Sequence, residues 1–259
     1  MIAIHLEFFG QAAGVAAMPF LSRMAVEKRF QEMNDLLNTT LRYLAVVVLF
    51  SALFMVLRKE VILILFERGQ FDPAATAVTA KILLFLLIGT FGFAAQTVVA
   101  RGFYAMKQTV LPAVFGSIAV VASIPLYIAG MHLMGVTGIA LAISLSAILQ
   151  VTLLYLIWNK RSGNREGKRV MAFYAKMILL GIGLGAVLEW LKINLYPHVN
   201  AATFMGSMKI CMVIGSVFIL LLFTAGYVFN IREITETIKQ FIPARLRGVK
   251  SPREDRMNR

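Results

Sequence analysis

Charge is scarce in this chain. Asp, Glu, Lys and Arg make up 15% of its 259 residues, where a soluble domain carries about 25%. From Gln108 to Trp158 none of the four occurs. A water-facing globule needs polar cover, so the shortage excludes an ordinary soluble domain. Cysteine is reduced to Cys211, inside an apolar run, which excludes an intrachain disulfide framework and a cysteine metal cluster. The histidines, His5, His132 and His198, stand far apart with no ligand-spaced neighbour. No metal site and no cofactor is expected. A Ser/His/Asp set, paired carboxylates in a polar loop, a Walker loop and zinc spacing are all missing, so the chain does not read as an enzyme. Met1 to Glu7 lacks a basic n-region and no AxA-type cleavage site follows, which argues against a signal peptide. Apolar sequence starts almost at once, as if partway through a helix.

What the chain has instead is hydrocarbon. It is 59% hydrophobic, with a mean hydropathy of +0.78. The net charge of +13 would suit nucleic acid if it formed a groove, but the charges flank apolar runs or lie in the tail. No nucleic-acid partner is expected; membrane lipids are. The stretch Leu65 to Pro112 shows the plan. Ile82 to Ala100 is free of charge and long enough to cross a hydrocarbon core of about 30 Å at about 1.5 Å per residue. Glu67, Arg68 and Asp72 bound it on one side, Arg101 and Lys107 on the other.

Repeating that plan gives an all-α, polytopic transmembrane helix bundle of about seven membrane segments, the first incomplete. Phe8 to Ser22 comes first, closed by Pro19 and Ser22-Arg23, with Gly10 and Gly14 at the GxxxG spacing that lets helices approach closely. Met24 to Asp35 mixes both signs of charge and reads as a surface helix or helical loop. Leu36 to Leu57 is the second span. Arg42, about one turn inside it, is the weak candidate for substrate binding; it either lines a cavity or snorkels to the near interface, and snorkelling is favoured. Arg58-Lys59-Glu60 close that span, and Val61 to Phe66 is too short to cross. Gly69 suits a turn. Asp72-Pro73 suits a helix start, with Asp72 as N-cap. Ala74 to Tyr104 is the third span.

The long uncharged run must break, since one crossing needs only about 20 residues. Gly130, Gly135 and Gly138 supply the break, giving a fourth span near Pro112 to Ala129 and a fifth from Val136 to Trp158. Pro125 should loosen the fourth. Ala140/Ser144 and Ala142/Ser146 are small-residue pairs for packing, and Trp158 is expected at a membrane interface. Residues 159–169 form a basic loop. Val170 to Leu191 and Ile210 to Ile231 complete the set. The GIGLG of Gly181, Gly183 and Gly185 lies inside an apolar helix and reads as packing. Glu189, Trp190 and Lys192 read as interfacial. Counting Lys and Arg gives 18 on the side of the loop after the first span and three on the other, which places the C-terminus in the cytoplasm.

Four motifs carry a resemblance: PFLSR at 19–23, LFERGQF at 65–71, GFYAMKQTVLPAV at 102–114 and GVTGIALAISLSAILQVTLLYLIW at 135–158. In this order and spacing they resemble the C-terminal half of the MurJ/MviN family, the lipid II flippases of bacterial cell-wall synthesis, within the multidrug/oligosaccharidyl-lipid/polysaccharide exporter superfamily. Pro19, Gly69, Phe71, Phe103, Tyr104, Pro112 and Gly138 are the motif residues, read as structural. The resemblance implies residues 1–158 as most of a second six-helix lobe, 159–231 as two added helices, and 232–259 as a basic cytoplasmic tail. It also implies a multi-pass protein of the bacterial inner membrane. Its partner would be lipid II, the undecaprenyl-diphosphate-linked precursor, moved by alternating access. The first lobe and its cationic cavity face are not in this sequence, so activity would require a separate N-terminal lobe. The alternatives are an exporter of another polysaccharide-linked lipid or drug, which LFERGQF argues against, and a non-transporting membrane scaffold.

Overall fold

The computed structural model describes residues 2–67, 71–201, 203–231 and 233. Among them the chain forms nine α-helices and no strand: α1 (Ile2–Val26), α2 (Phe30–Ala45), α3 (Val47–Val56), α4 (Arg58–Phe66), α5 (Pro73–Ala105), α6 (Val110–Met134), α7 (Val136–Ser162), α8 (Gly167–Leu195) and α9 (Phe204–Val228), with a 3-10 turn at Tyr196–His198. Six stretches are long and apolar enough to cross a membrane. They are Phe30–Val56, which joins α2 and α3, and the five helices α5 to α9, α8 being extended to His198. The described end of α1, Gly14–Val26, is a shorter apolar helix. The architecture is the all-α polytopic bundle expected of a multi-pass membrane protein. The chain divides into two compact units, Met1–Phe218 and Ile219–Arg259; the tertiary packing described below lies in the first.

Local chemistry places the helix ends. Asp72 caps α5, its Oδ1 accepting from the Ala75 amide at 2.7 Å with Pro73 at the first helical position, as the sequence suggested. The preceding LFERGQF corner is tied to the same helix start, where the Thr76 hydroxyl donates to Glu67 at 2.6 Å. Phe71 packs beside Phe66, ring centroids 6.2 Å apart. Gly69 lies outside the described residues. Gly135 alone makes the break between the fourth and fifth spans, at φ +63°, a region that costs glycine little. Gly130 and Gly138 do something else: a Cβ on Gly138 would lie 1.9 Å from the Gly130 carbonyl oxygen. Between them α6 and α7 touch backbone to backbone.

Helix α5 is the central post. It runs roughly 50 Å at 1.5 Å per residue and packs on α1, α2, α3, α4 and α7. Its seam with α7 is built from small residues. A Cβ on Gly89 would lie 2.7 Å from the Ser144 backbone, and one on Gly92 would lie 3.2 Å from the Ile148 nitrogen. Ser144 donates across the seam to the Phe85 carbonyl at 2.7 Å. The main core gathers Leu21, Leu37, Leu41, Val98, Phe103 and Trp158 from α1, α2, α5 and α7. A second core joins Val47, Ile62, Ala80, Leu83 and Leu87 of α3, α4 and α5. Helix α6 packs mainly on α7 and leaves Ile118, Val121, Ile124 and Ile128 exposed. Such an apolar surface suits lipid, where helix contacts gain nothing from excluding water.

Three expectations need correction. Helix α1 does not stop at Pro19 but continues to Val26; in an apolar setting the backbone group freed by proline is tolerated within a continuous helix. Met24 to Asp35 is not one surface helix but a helix–turn–helix, with Lys28 at φ +57° in the turn. Arg29 holds that turn, donating to Glu27 at 2.8 Å and Glu32 at 2.6 Å. Hydrogen bonds from Arg23 and then Arg29 keep the Glu27 carboxyl below the usual carboxylate range. Trp158 is fully buried instead of interfacial: its ring meets Phe103 edge to face at 5.3 Å. Arg101 is a cation of the third span, as its bounds implied. It lies within α5, half-buried, and a Cβ on Gly14 of α1 would sit 2.9 Å from its side chain. The Gly14 face is therefore taken up inside the bundle.

Candidate functional site

Three polar arrangements stand in this apolar bundle. The first lies where α2, α7 and α8 meet. Asn34 and Asn38 are one turn apart on α2, on the face that also buries Leu37 and Leu41. Gly163, at φ +66°, ends α7 in the left-handed conformation and turns the chain so that Asn164 faces back to α2. Asn38 and Asn164 then exchange amide hydrogen bonds, 2.9 Å in each direction. Tyr155 donates to Asn38 at 2.8 Å, Trp158 Nε1 to Asn34 at 3.0 Å, and Asn34 to the Ser162 carbonyl at 3.0 Å. Asn164 also donates to Asn159 at 2.7 Å, and a Cβ on Gly167 would press within 2.3 Å of the same Asn159. Tyr174 of α8 donates to the Leu41 carbonyl at 2.9 Å. The set is internally satisfied and works as a clamp. Arg42 follows Asn38 by one turn and is half-buried.

The second arrangement lies at the other end of α8. Glu60 and Lys192 are 1% and 3% exposed. Lys192 donates to the Val56 carbonyl and lies 3.3 Å from Glu189 and 3.9 Å from Glu60. Tyr196 donates to Glu60 Oε1, while Glu60 Oε2 has no partner among the described residues. These residues read as flanking or interfacial charges in the sequence, and burial corrects that. A usable signal existed: Lys192 continues the buried stripe Met177, Gly181, Leu184, Leu188 at helical spacing. Only the partner, Glu60, was beyond reach, 132 positions away by number.

The third is a cleft of about 610 Å³ on α7 between α5 and α6. Its polar lining is Gln96 and Tyr104 of α5, Ser117 of α6 and Gln150 of α7; Pro112 and Phe115 add apolar walls. No charged residue lines it. It can accept and donate hydrogen bonds but holds no acid, base or nucleophile. Among the described residues no group of His, Cys, Asp and Glu is placed to hold a metal ion.

Of the motif residues, Phe103 is buried in the main core, Tyr104 and Pro112 line the cleft, Gly138 makes the close crossing and Pro19 is exposed on α1. The structure does not bring Arg42 to the cleft, whose lining residues come from α5, α6 and α7 alone.

Comparison with known proteins bears on what these arrangements serve. Residues 2–209 match the family model described as lipid II flippase MurJ. The chain is 28% identical over 191 residues to a probable lipid II flippase MurJ of Vibrio cholerae, covering 73% of this chain and 36% of that protein. It is 25% identical over 204 residues to one of Rhizobium meliloti, covering 77% and 38%. It is 27% identical over 187 residues to the lipid II flippase MurJ of Burkholderia cenocepacia, covering 71% and 36%. The chain thus spans well under half the length of these curated relatives. A solved structure, a lipid II flippase MurJ in an inward closed conformation, superposes with a TM-score of 0.58 over 86% of this chain and 45% of that one. At 21% identity that likeness shows a shared fold.

Proposed function

The chain belongs to the lipid II flippase MurJ family, and from this we propose that it is the C-terminal portion of a flippase that carries lipid II across the bacterial inner membrane. The observation that carries the reading is the family match over residues 2–209. Residues 1–158 are proposed as most of one lobe, 159–231 as the two added helices and 232–259 as a cytoplasmic tail. Work is done by alternating access: two lobes rock about a site near the midplane while the lipid tail stays in the bilayer. Catalysis of a covalent step is not part of it.

We further propose that this chain does not move lipid II unaided. A diphosphate is costly to bring into a low-dielectric interior without fixed positive charge. Apart from Arg101, which packs against α1, the cations inside these spans are poorly placed to supply it. Lys192 is already held by Glu60, Glu189 and the Val56 carbonyl. Lys81, Lys176 and Lys209 are exposed toward helix ends. Arg42 stands beside the asparagine clamp. The test is rescue of cells depleted of their own flippase. The 259-residue chain alone is expected to fail, and the chain co-expressed with a first lobe from a related protein to succeed. Rescue by the chain alone would refute the dependence.

A further inference from the structure

We infer that the cleft between α5, α6 and α7 binds the uncharged, hydroxyl- and amide-bearing part of a lipid-linked saccharide. This rests on the flippase reading above and assigns a place within the chain to one part of the substrate.

Depth is the first argument. Gln150 lies near the middle of α7 (Val136–Ser162), a helix apolar enough to cross a membrane. Hydrocarbon gives a carboxamide nothing to bond. The second argument is that these groups are open. Among the described residues neither the Gln96 nor the Gln150 carboxamide has a hydrogen-bond partner, and neither do the Ser117 and Tyr104 hydroxyls. The asparagine clamp shows how the bundle can satisfy polar side chains by pairing them, six at once. Four unpaired polar groups around one space are therefore complementary to something that brings donors and acceptors of its own.

Charge narrows the occupant. None of the lining residues is ionised, so a diphosphate finds no counter-charge here. A prenyl chain would leave both carboxamides unpaired. Hydroxyl and N-acyl groups meet the requirement, because each can donate to or accept from a carboxamide. The rings of Tyr104 and Phe115 offer flat apolar walls to the C–H faces of a pyranose. The volume, about 610 Å³, is in the usual range of roughly 300–1,000 Å³ for small-molecule sites.

The experiment places the full chain in lipid nanodiscs and compares two probes by native mass spectrometry. One is undecaprenyl diphosphate carrying an N-acetylated disaccharide; the other is undecaprenyl diphosphate without sugar. The variant Gln96→Leu/Gln150→Leu removes both carboxamides and leaves side chains at home in an apolar helix. It is expected to weaken the sugar-bearing probe by about tenfold or more, the equivalent of one or two lost hydrogen bonds, and to leave the sugar-free probe within about twofold. If the double variant does not assemble, Ser117→Phe fills the cleft from an exposed wall position and should give the same selective loss. Equal affinity of the native chain for the two probes, or an equal loss in both, overturns the proposal while leaving the flippase reading intact. Binding of neither probe also overturns the proposal but not the flippase reading, which assigns the counter-charge for the diphosphate to the first lobe. A photo-crosslinker at position 150 should capture the saccharide; capture of a second copy of the chain instead shows that a helix fills the cleft and overturns the proposal.

Discussion

Lys192 and Glu60 are the residues on which local stability turns. Both are almost fully buried and 3.9 Å apart, and the ammonium is shared with Glu189 and a carbonyl. Removing one member of a buried pair leaves the other charge uncompensated, at a cost of about 3–5 kcal/mol, whereas replacing both by apolar groups is often nearly neutral. Lys192→Met is therefore expected to lower the detergent-solubilised melting temperature sharply, and Lys192→Met with Glu60→Leu to recover most of it. A double variant as unstable as the single one would count against the pair. The same residues show how far the sequence was readable at this scale. Asp72 was legible because its partner, the Ala75 amide, is three positions away. Trp158 was misread because the atoms that bury it belong to Asn34 and Phe103, distant in sequence. A charge beside a span looks interfacial until the element that covers it is known.

At the scale of helices, spacing between backbones does most of the specifying. The α6/α7 crossing at Gly130 and Gly138 has no room for a methyl group, since a Cβ at 138 would stand 1.9 Å from a carbonyl oxygen. Gly138→Ala must push the helices apart and open their packing below the turn at Gly135. A loss of about 2 kcal/mol or more is expected, beyond the range of simple surface changes. Gly183→Ala is the matched control, because nothing lies within 4 Å of that site; there the better helix propensity of alanine should give no loss. Folded yield from membranes and melting temperature measure both. Span positions were legible because apolar length and charge sparsity are local properties. The joint between α1 and α2 was not, because the same charged sequence suits a surface helix as well as a turn. Only the hydrogen bonds of Arg29 to Glu27 and Glu32 decide it. Nor could composition tell which of three nearby glycines is a break and which two are a contact.

For the whole molecule, the bundle and its family were readable from motif order, and the arrangement of buried polar groups was not. Motifs lie in single stretches of sequence; the clamp and the Lys192 cluster draw on elements far apart in the chain, and the cleft on the packing of three successive helices. The orientation proposed from the 18-to-three distribution of Lys and Arg has a direct test. A reporter active only in the periplasm should be silent when fused after Arg259 and active when fused at Val199; the reverse would overturn the topology. The asparagine clamp has a consequence for biosynthesis. Asn38 pairs with a residue 126 positions later. At about 5–20 residues per second of synthesis, roughly 6–25 s pass between the emergence of the two. Throughout that interval α2 must hold unpaired carboxamides, so its entry into the bilayer is a provisional state until the corner after α7 leaves the ribosome. Slow translation between these points would lengthen the period in which quality-control proteases meet an unfinished bundle.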